Sequence, residues 1–193
     1  MAYEIEIKLE FPASFDPQDI WTDAILCNYT RTTNDFQAIY YDTPDGLLAA
    51  KKQTLRMRKE GDVGMIAFKA ATEDDNVRRE WEAPADNLLY GITKLMEYDD
   101  CPIHEIKFLN FDVVCTMYFK RTTALITVGD TTAEVAVDIG EMRRNDKTAL
   151  IRELEIELKG GNVADLQKLT DNFAAKYNLT VQPMSKLEHA LNI

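Results

Sequence analysis

Residues 150–159 read LIRELEIELK, a stretch in which glutamates at every second position alternate with leucine and isoleucine. A second stretch near the N-terminus, residues 4–8, reads EIEIK and has the same period of two. Such alternation predicts β-strands that have one charged face and one apolar face. Because both ends of the chain carry this pattern, we expect an architecture dominated by antiparallel strands.

The same alternation recurs along the chain between turn signals, and Gly61-Asp62 occupies the turn position of a β-hairpin. The predicted strands are residues 3–10, 36–43, 53–60, 63–70, 76–83, 111–121, 124–129, 132–139 and 150–159. Helices are expected at residues 16–26, 87–98, 163–177 and 185–191. No internal repeat or linker interrupts the pattern, so we predict a single domain over residues 1–193.

The composition argues against several classes of protein. The 193 residues include 22 basic and 33 acidic side chains, which sum to a net charge of −11. This balance disfavours binding to nucleic acid or to an anionic membrane. The sequence contains neither an apolar run long enough for a membrane span nor a targeting signal at its start. Cys27, Cys101 and Cys115 are widely spaced and are interpreted as reduced core thiols, so we predict a cytoplasmic protein.

The residue types also limit the chemistry. The chain has two histidines and two serines, too few to favour a Ser-His or Cys-His nucleophile system. It also lacks a glycine-rich phosphate-binding loop. Any catalysis is therefore expected to depend on Glu, Asp, Lys and Arg.

Strand parity collects these ionised residues on one face of the predicted sheet. They are Glu4, Glu6, Lys8, Arg56, Arg58, Lys69, Arg78, Glu80, Glu82, Asp138, Glu153, Glu155 and Glu157, with Arg121 chosen over Lys120 on the strand where parity is ambiguous. A solvated sheet face is the ordinary interpretation of such a pattern. However, like charges two residues apart on one strand are only about 7 Å apart and repel each other unless an opposite charge lies between them.

Rows of carboxylates favour a divalent cation bound through oxygen, and rows of basic side chains favour a polyanion. We therefore predict a barrel of about eight strands, with its charged face inside and amphipathic helices covering its apolar outer face. Such a lumen suits a phosphate chain together with hard metal ions.

A series of short motifs follows one order along nearly the whole chain. These motifs are Glu4-Ile5-Glu6-Ile7-Lys8, Tyr40-Tyr41-Asp42-Thr43-Pro44, Leu55-Arg56-Met57-Arg58, Phe68-Lys69, Arg79-Glu80-Trp81-Glu82, Lys120-Arg121, Val137-Asp138, Glu153-Leu154-Glu155-Ile156-Glu157-Leu158 and Ser185-Lys186. Together the series resembles the CYTH superfamily, the triphosphate tunnel metalloenzymes, which share a Glu-x-Glu-x-Lys signature. The resemblance implies an α+β fold, namely a closed eight-stranded antiparallel β-barrel with helices packed on the outside.

The resemblance also implies metal-dependent hydrolysis or cyclisation of a small triphosphate with Mg²⁺ or Mn²⁺, two ions being expected. The implied metal ligands are Glu4, Glu6, Asp138, Glu153, Glu155 and Glu157. The implied phosphate-binding residues are Lys8, Arg56, Arg58, Lys69, Arg121 and Lys186. Glu80 and Glu82, together with Lys8 and Arg58, are the implied catalytic residues.

Three activities share these motifs: inorganic triphosphatase, thiamine triphosphatase and class IV adenylate cyclase. Inorganic triphosphate is the favoured substrate because the sequence shows no pocket for a base. Trp21 and Trp81, which a thiamine site could use, are both expected in apolar cores. A different class of function is also open, namely a non-catalytic module that binds polyphosphate or a nucleotide. The sequence does not determine the oligomeric state, and a homodimer is one possibility.

Charge repulsion in the lumen predicts that Glu4→Gln or Glu155→Gln abolishes turnover without unfolding the protein.

Overall fold

The computed structural model describes residues 2–73 and 77–193, so Asn76, the expected first residue of one strand, lies outside the described residues. The strands are β1 (Ala2–Glu10), β2 (Thr32–Asp42), β3 (Gln53–Glu60), β4 (Val63–Ala71), β5 (Val77–Pro84), β6 (Asp112–Val128), β7 (Thr131–Arg144), β8 (Lys147–Gly160) and β9 (Thr180–Val181). The helices are a 3-10 helix (Pro17–Thr22), α1 (Leu47–Ala50), α2 (Leu88–Leu95), α3 (Ile103–Ile106), α4 (Val163–Tyr177) and α5 (Lys186–Leu191).

The strands β1 to β8 form a closed barrel. Their order is β5-β4-β3-β2-β6-β7-β8-β1, and a further antiparallel pairing of β1 with β5 closes the circle. Every neighbouring pair is antiparallel, and the two-residue β9 adds to the far end of β1. The predicted eight-stranded antiparallel barrel is therefore confirmed, and closure leaves these strands with few unpaired edges.

Two apolar cores cover the outside of the barrel. The first contains Leu9, Ile156 and Phe173 and joins β1, β7 and β8 to the 3-10 helix and α4. The second contains Phe68, Trp81 and Leu95 and joins β3, β4 and β5 to the short helices α1, α2 and α3. Both cores contain the residues that alternate with the charged ones, as the period of two predicts.

A third apolar cluster lies on the inner face, which the sequence pattern assigned to charged residues. Phe36, Phe119 and Leu187 belong to this cluster and also line the central cavity. Leu187 and Ala190 extend from α5, which packs on β6 and β7. The C-terminal helix thus covers an apolar sector of the lumen, and the charged residues occupy the remainder.

Several element boundaries also differ from the prediction. β6 runs unbroken through Thr122, which hydrogen-bonds across to Thr33 at 3.0 Å. The strand predicted at 132–139 extends to Arg144 at the end of β7, and the turn follows at Asn145 with a left-handed φ of 52°. The expected first helix is reduced to the 3-10 helix because turns follow it.

Cys27 is exposed, contrary to the expectation of three core thiols, whereas Cys101 and Cys115 are buried. None of the helices among the described residues combines the length and apolar character that crossing a bilayer requires.

Candidate functional site

The inner face of the barrel surrounds a cavity of about 350 Å³, within the size range of small-molecule sites. The cavity is lined by thirteen of the charged residues that were predicted from strand parity or from the motifs. These are Glu4, Glu6, Lys8, Arg56, Arg58, Lys69, Arg78, Glu80, Glu82, Arg121, Glu155, Glu157 and Lys186. Asp138 and Glu153 lie next to Arg121 and Lys186, where their side chains are 0% and 3% exposed. Antiparallel pairing brings these residues together from seven strands and α5.

Lys186 lies among three buried carboxylates. Its Nζ is 2.8 Å from Asp138, 2.7 Å from Glu153 and 2.5 Å from Glu155. Burial alone would favour the neutral amine, but the three carboxylates raise the pKa of Lys186 well above its ordinary value. Arg121 adds a bidentate contact with Asp138 at 2.7 and 2.6 Å and an ion pair with Glu155. These residues form the Lys186 network.

The Lys186 network bears directly on metal binding. Carboxylate oxygens of Asp138, Glu153 and Glu155 lie within 4.8 Å of one another, a spacing that a metal ion could use. Because the Lys186 ammonium already contacts all three, an ion there would have to displace it. Burial would raise the pKa of Glu155, yet Lys186 and Arg121 hold it well below the ordinary value.

Lys69 connects the acidic groups of β1 and β5. It forms an ion pair with Glu4 and lies 3.4 Å from Glu80. Burial raises the pKa of Glu4, but Lys69 and then Arg56 outweigh it and lower the pKa below 4.5. Glu4 and Glu155 are therefore compensated, so repulsion does not destabilise them as the sequence suggested.

Glu6 and Glu157 lack comparable compensation. They lie directly opposite each other on β1 and β8, and Lys8 approaches Glu6 only to 3.7 Å. Burial, together with the charges of Glu155 and Glu4, raises the pKa of Glu6 to about 7. Burial also raises the pKa of Glu157, although Lys159 lies 2.7 Å away. This corner of the cavity has a deficit of positive charge, and its hard oxygen donors suit a divalent cation.

Arg58 shows the opposite imbalance. Arg56, on the same face of β3, is better compensated: burial opposes its charge, but Tyr40 and Glu80 raise the pKa of Arg56 above its ordinary value. The nearest ion-pair distances are 3.8 Å from Arg56 to Glu80 and 3.7 Å from Arg58 to Glu82, beyond normal hydrogen-bond length. The Nε of each guanidinium is buried and has no hydrogen-bond partner among residues 2–73 and 77–193. Burial, with repulsion from Arg56, lowers the pKa of Arg58. Both arginines line the cavity, and each guanidinium has a donor that no described residue satisfies, so an anion in the cavity would improve their hydrogen bonding.

The imbalance at Glu6 predicts a pH-dependent stability in the metal-free protein. Its folded-state pKa of about 7 exceeds the ordinary 4.5, so its contribution to stability is present below about pH 4.5 and is lost as the pH rises through about 7. We expect Glu6→Gln to raise Tm more at pH 8 than at pH 5, measured by differential scanning calorimetry in EDTA. Glu10→Gln, at the exposed end of β1, is the control, and an equal effect of Glu6→Gln at both pH values would contradict the assignment.

A model of the CYTH domain matches residues 2–191. The chain belongs to the CYTH domain family. An inorganic triphosphatase from Haemophilus influenzae is 27% identical over 200 residues, which cover 96% of this chain and 53% of that protein. The chain thus spans about half the length of this curated relative.

Solved structures share the CYTH fold over nearly the full chain. An adenylyl cyclase candidate from Hippeastrum, described as having a dominant triphosphatase activity, is 18% identical with a TM-score of 0.65, covering 98% of this chain and 95% of that one. The PH1819 protein of Pyrococcus horikoshii is 16% identical with a TM-score of 0.62, covering 98% of both chains. At these identities the likeness supports the fold alone.

The cavity is also lined by residues to which the sequence assigned no site role, two of them, Tyr40 and Ser185, within the CYTH motifs. They are Phe36, Tyr40, Thr54, Glu60, Phe119, Thr123, Glu134, Lys159, Ser185 and Leu187. The side chain of Tyr40 hydrogen-bonds Arg56 in the lumen. Tyr40 and Phe36 are both even-numbered residues of β2, so the period of two places them on the same face of this strand, and this could have predicted that Tyr40 lies in the lumen. On β6, Arg121 points inward, whereas the side chain of Lys120 is 58% exposed.

Proposed function

We propose that this CYTH protein catalyses divalent-metal-dependent hydrolysis of a small triphosphate, with inorganic triphosphate as the favoured substrate. The observation that carries the proposal is the double imbalance of one cavity. Arg56 and Arg58 each have a buried Nε donor without a partner among the described residues, and Glu6 faces Glu157 with its nearest lysine, Lys8, 3.7 Å away. A phosphate chain with a bound divalent ion would supply both missing charges. The inorganic triphosphatase of Haemophilus influenzae is a relative consistent with this chemistry.

We assign a role to each charged residue of the cavity from the sign of its charge. Arg56, Arg58 and Lys69 bind the phosphate oxygens, with Lys8 at the metal side. Glu6, Glu157 and Glu4 provide the carboxylates for a first ion. Glu80 and Glu82 orient the attacking water and serve a second ion, since the side chain of Glu82 is 42% exposed and has room for solvent. Mg²⁺ or Mn²⁺ bound at these carboxylates would neutralise phosphate oxygens and lower the pKa of a coordinated water.

The six acidic residues that the motifs select as metal ligands divide into two groups under this proposal. Asp138, Glu153 and Glu155 are engaged by Lys186 and Arg121, so we assign them to supporting the site. Their negative charge stabilises the charged form of Lys186. Glu6 and Glu157 remain for the metal, and Glu4, which is ion-paired with Lys69, completes the proposed set.

The aromatic side chains favour inorganic triphosphate over an organic triphosphate. Trp21 and Trp81 are 3% and 0% exposed in the two outer cores. Within the lumen Phe36 and Phe119 stack on each other at 5.3 Å and are 7% and 9% exposed. Among the residues that the structure describes, none of these rings offers an open face to adenine or thiazolium.

The test is a phosphate-release assay with inorganic triphosphate, ATP and thiamine triphosphate, each with Mg²⁺, Mn²⁺ or EDTA. We expect inorganic triphosphate with a metal to be the fastest combination and EDTA to abolish release. Product chromatography from the ATP reactions measures cyclic AMP, and a dominant cyclic AMP peak would support a cyclase instead. The absence of any product from all three substrates, with triphosphate binding retained, would support a non-catalytic binding module.

A further inference from the structure

Phe36 and Phe119 form an aromatic pair inside the charged lumen. They lie directly opposite each other on β2 and β6, with ring centroids 5.3 Å apart and planes 8° from parallel. Gly140 of β7 lies opposite Phe119, and a Cβ there would be only 2.6 Å from the Cβ of Phe119. The backbone of β7 therefore passes close beside Phe119.

The pair contacts three of the basic residues in the cavity. The Arg58 guanidinium carbon lies 5.6 Å from the centroid of Phe36, and that of Arg121 lies 5.6 Å from Phe36 and 5.7 Å from Phe119. Lys186 Nζ lies 5.6 Å from the centroid of Phe119. These distances are within the range of cation–π attraction, which strengthens when the groups are shielded from water.

The three cations differ in their other partners. Arg121 and Lys186 both form close ion pairs with buried carboxylates. Arg58 has Glu82 at 3.7 Å, and its buried Nε lacks a hydrogen-bond partner within the described part of the chain. Burial and the neighbouring Arg56 also disfavour its charge, as its lowered pKa indicates. The face of Phe36 is thus one of the attractive contacts of this guanidinium, beside the charges of Glu82 and Glu60.

An aromatic face and a carboxylate hold an arginine in different ways. A carboxylate occupies the N–H donors and neutralises the charge, whereas a ring attracts the guanidinium through its face and leaves the N–H groups at the edge unoccupied. A phosphate chain needs those donors and that charge. A ring contact therefore orients an arginine without competing with an anionic ligand.

We propose that Phe36 is a positioning residue that holds the Arg58 guanidinium in place, with its donors unoccupied, for a phosphate oxygen of the bound triphosphate. The inference rests on the proposed function for the identity of the ligand. It concerns binding, and it does not require that the bound triphosphate is hydrolysed.

The test compares replacements that keep or remove the ring. Phe36→Met and Phe36→Leu keep an apolar side chain, so the comparison does not depend on one variant folding, and Phe36→Tyr keeps the aromatic face. Phe15→Met is the matched control because Phe15 stacks on Phe11 at 5.5 Å in the outer core, away from the cavity. Isothermal titration calorimetry of the metal-free proteins with inorganic triphosphate measures Kd, and steady-state assays with Mg²⁺ or Mn²⁺ measure KM and kcat separately.

We expect Phe36→Met and Phe36→Leu to raise Kd and KM by about five- to tenfold, as loss of a desolvated cation–π contact predicts. Phe36→Tyr and Phe15→Met are expected to stay within about twofold of the wild type. Wild-type affinity in Phe36→Met or Phe36→Leu would overturn the inference, as would equal losses in Phe36→Tyr. If the wild type binds triphosphate without hydrolysing it and the ring-dependent loss of affinity persists, the proposed function fails and the positioning role of Phe36 stands.

Discussion

Arg58→Met is expected to reduce kcat/KM for inorganic triphosphate by about 100- to 1000-fold, the usual effect of removing one preorganised donor to a developing anionic charge. The arginine is half-buried, its Nε has no partner in the described residues, and it lines the same cavity as Glu6 and Glu157. Because burial and repulsion from Arg56 already disfavour its charge, we expect Tm to remain within about 4 °C of the wild-type value.

Steady-state kinetics and thermal denaturation of the same preparation check this expectation. Lys59→Met is the matched control because it removes a positive charge from the next residue of β3, whose side chain is exposed on the outer face. The control should retain kcat/KM within about twofold, since surface substitutions have small effects. Full activity in Arg58→Met would remove Arg58 from the phosphate site, and a collapse of Tm would make it a structural cation instead.

Lys186→Met is expected to lower the free energy of unfolding by about 3–5 kcal/mol, as removing one partner of a buried ion pair generally does. The side chain of Lys186 is 8% exposed and contacts Asp138, Glu153 and Glu155. Without it, Arg121 remains as the close cation for these carboxylates. Urea denaturation at pH 7 measures the loss, and acidification should reduce it because protonation removes the uncompensated charges.

Two further comparisons separate a structural lysine from a phosphate-binding one. Lys168→Met removes an ion pair on α4 whose lysine side chain is 77% exposed, and it should change stability by less than about 0.5 kcal/mol. If Lys186→Met keeps wild-type stability but loses affinity for inorganic triphosphate, then Lys186 binds the substrate, as the Ser185-Lys186 motif implies, and the Lys186 network is not its main role.

The inner and outer residues of the barrel were predictable because side-chain alternation is a local property of a strand. Parity correctly predicts that Trp81 lies on the outside of β5 and that Glu80 and Glu82 lie on its inside.

The ends of the strands and the short helices were harder to predict. The polar Thr122 looks like a break in β6, but Thr33 on β2 satisfies its hydroxyl. Helices α1 and α3 have four residues each, which is too short for a helical period to be visible.

The apolar sector of the lumen shows where local pattern reading fails. Phe36 and Phe119 have the parity of the inner face, yet alternation alone does not indicate that an interior position is apolar because another element covers it. That element is α5, which begins 58 residues after the end of β6 along the chain. Its Leu187 and Ala190 complete the cluster, and only tertiary packing brings them there.

The sequence by itself determined which charged side chains share the barrel interior, since a period of two assigns each residue of a strand to a face without reference to any other strand. Only the tertiary structure decided which of these charges are paired. Lys186 engages Asp138, Glu153 and Glu155, whereas Glu6 faces Glu157 and Arg58 rests on Phe36. Ion pairing depends on distances of a few ångströms between segments far apart in the chain, and strand register and the docking of α5 set those distances.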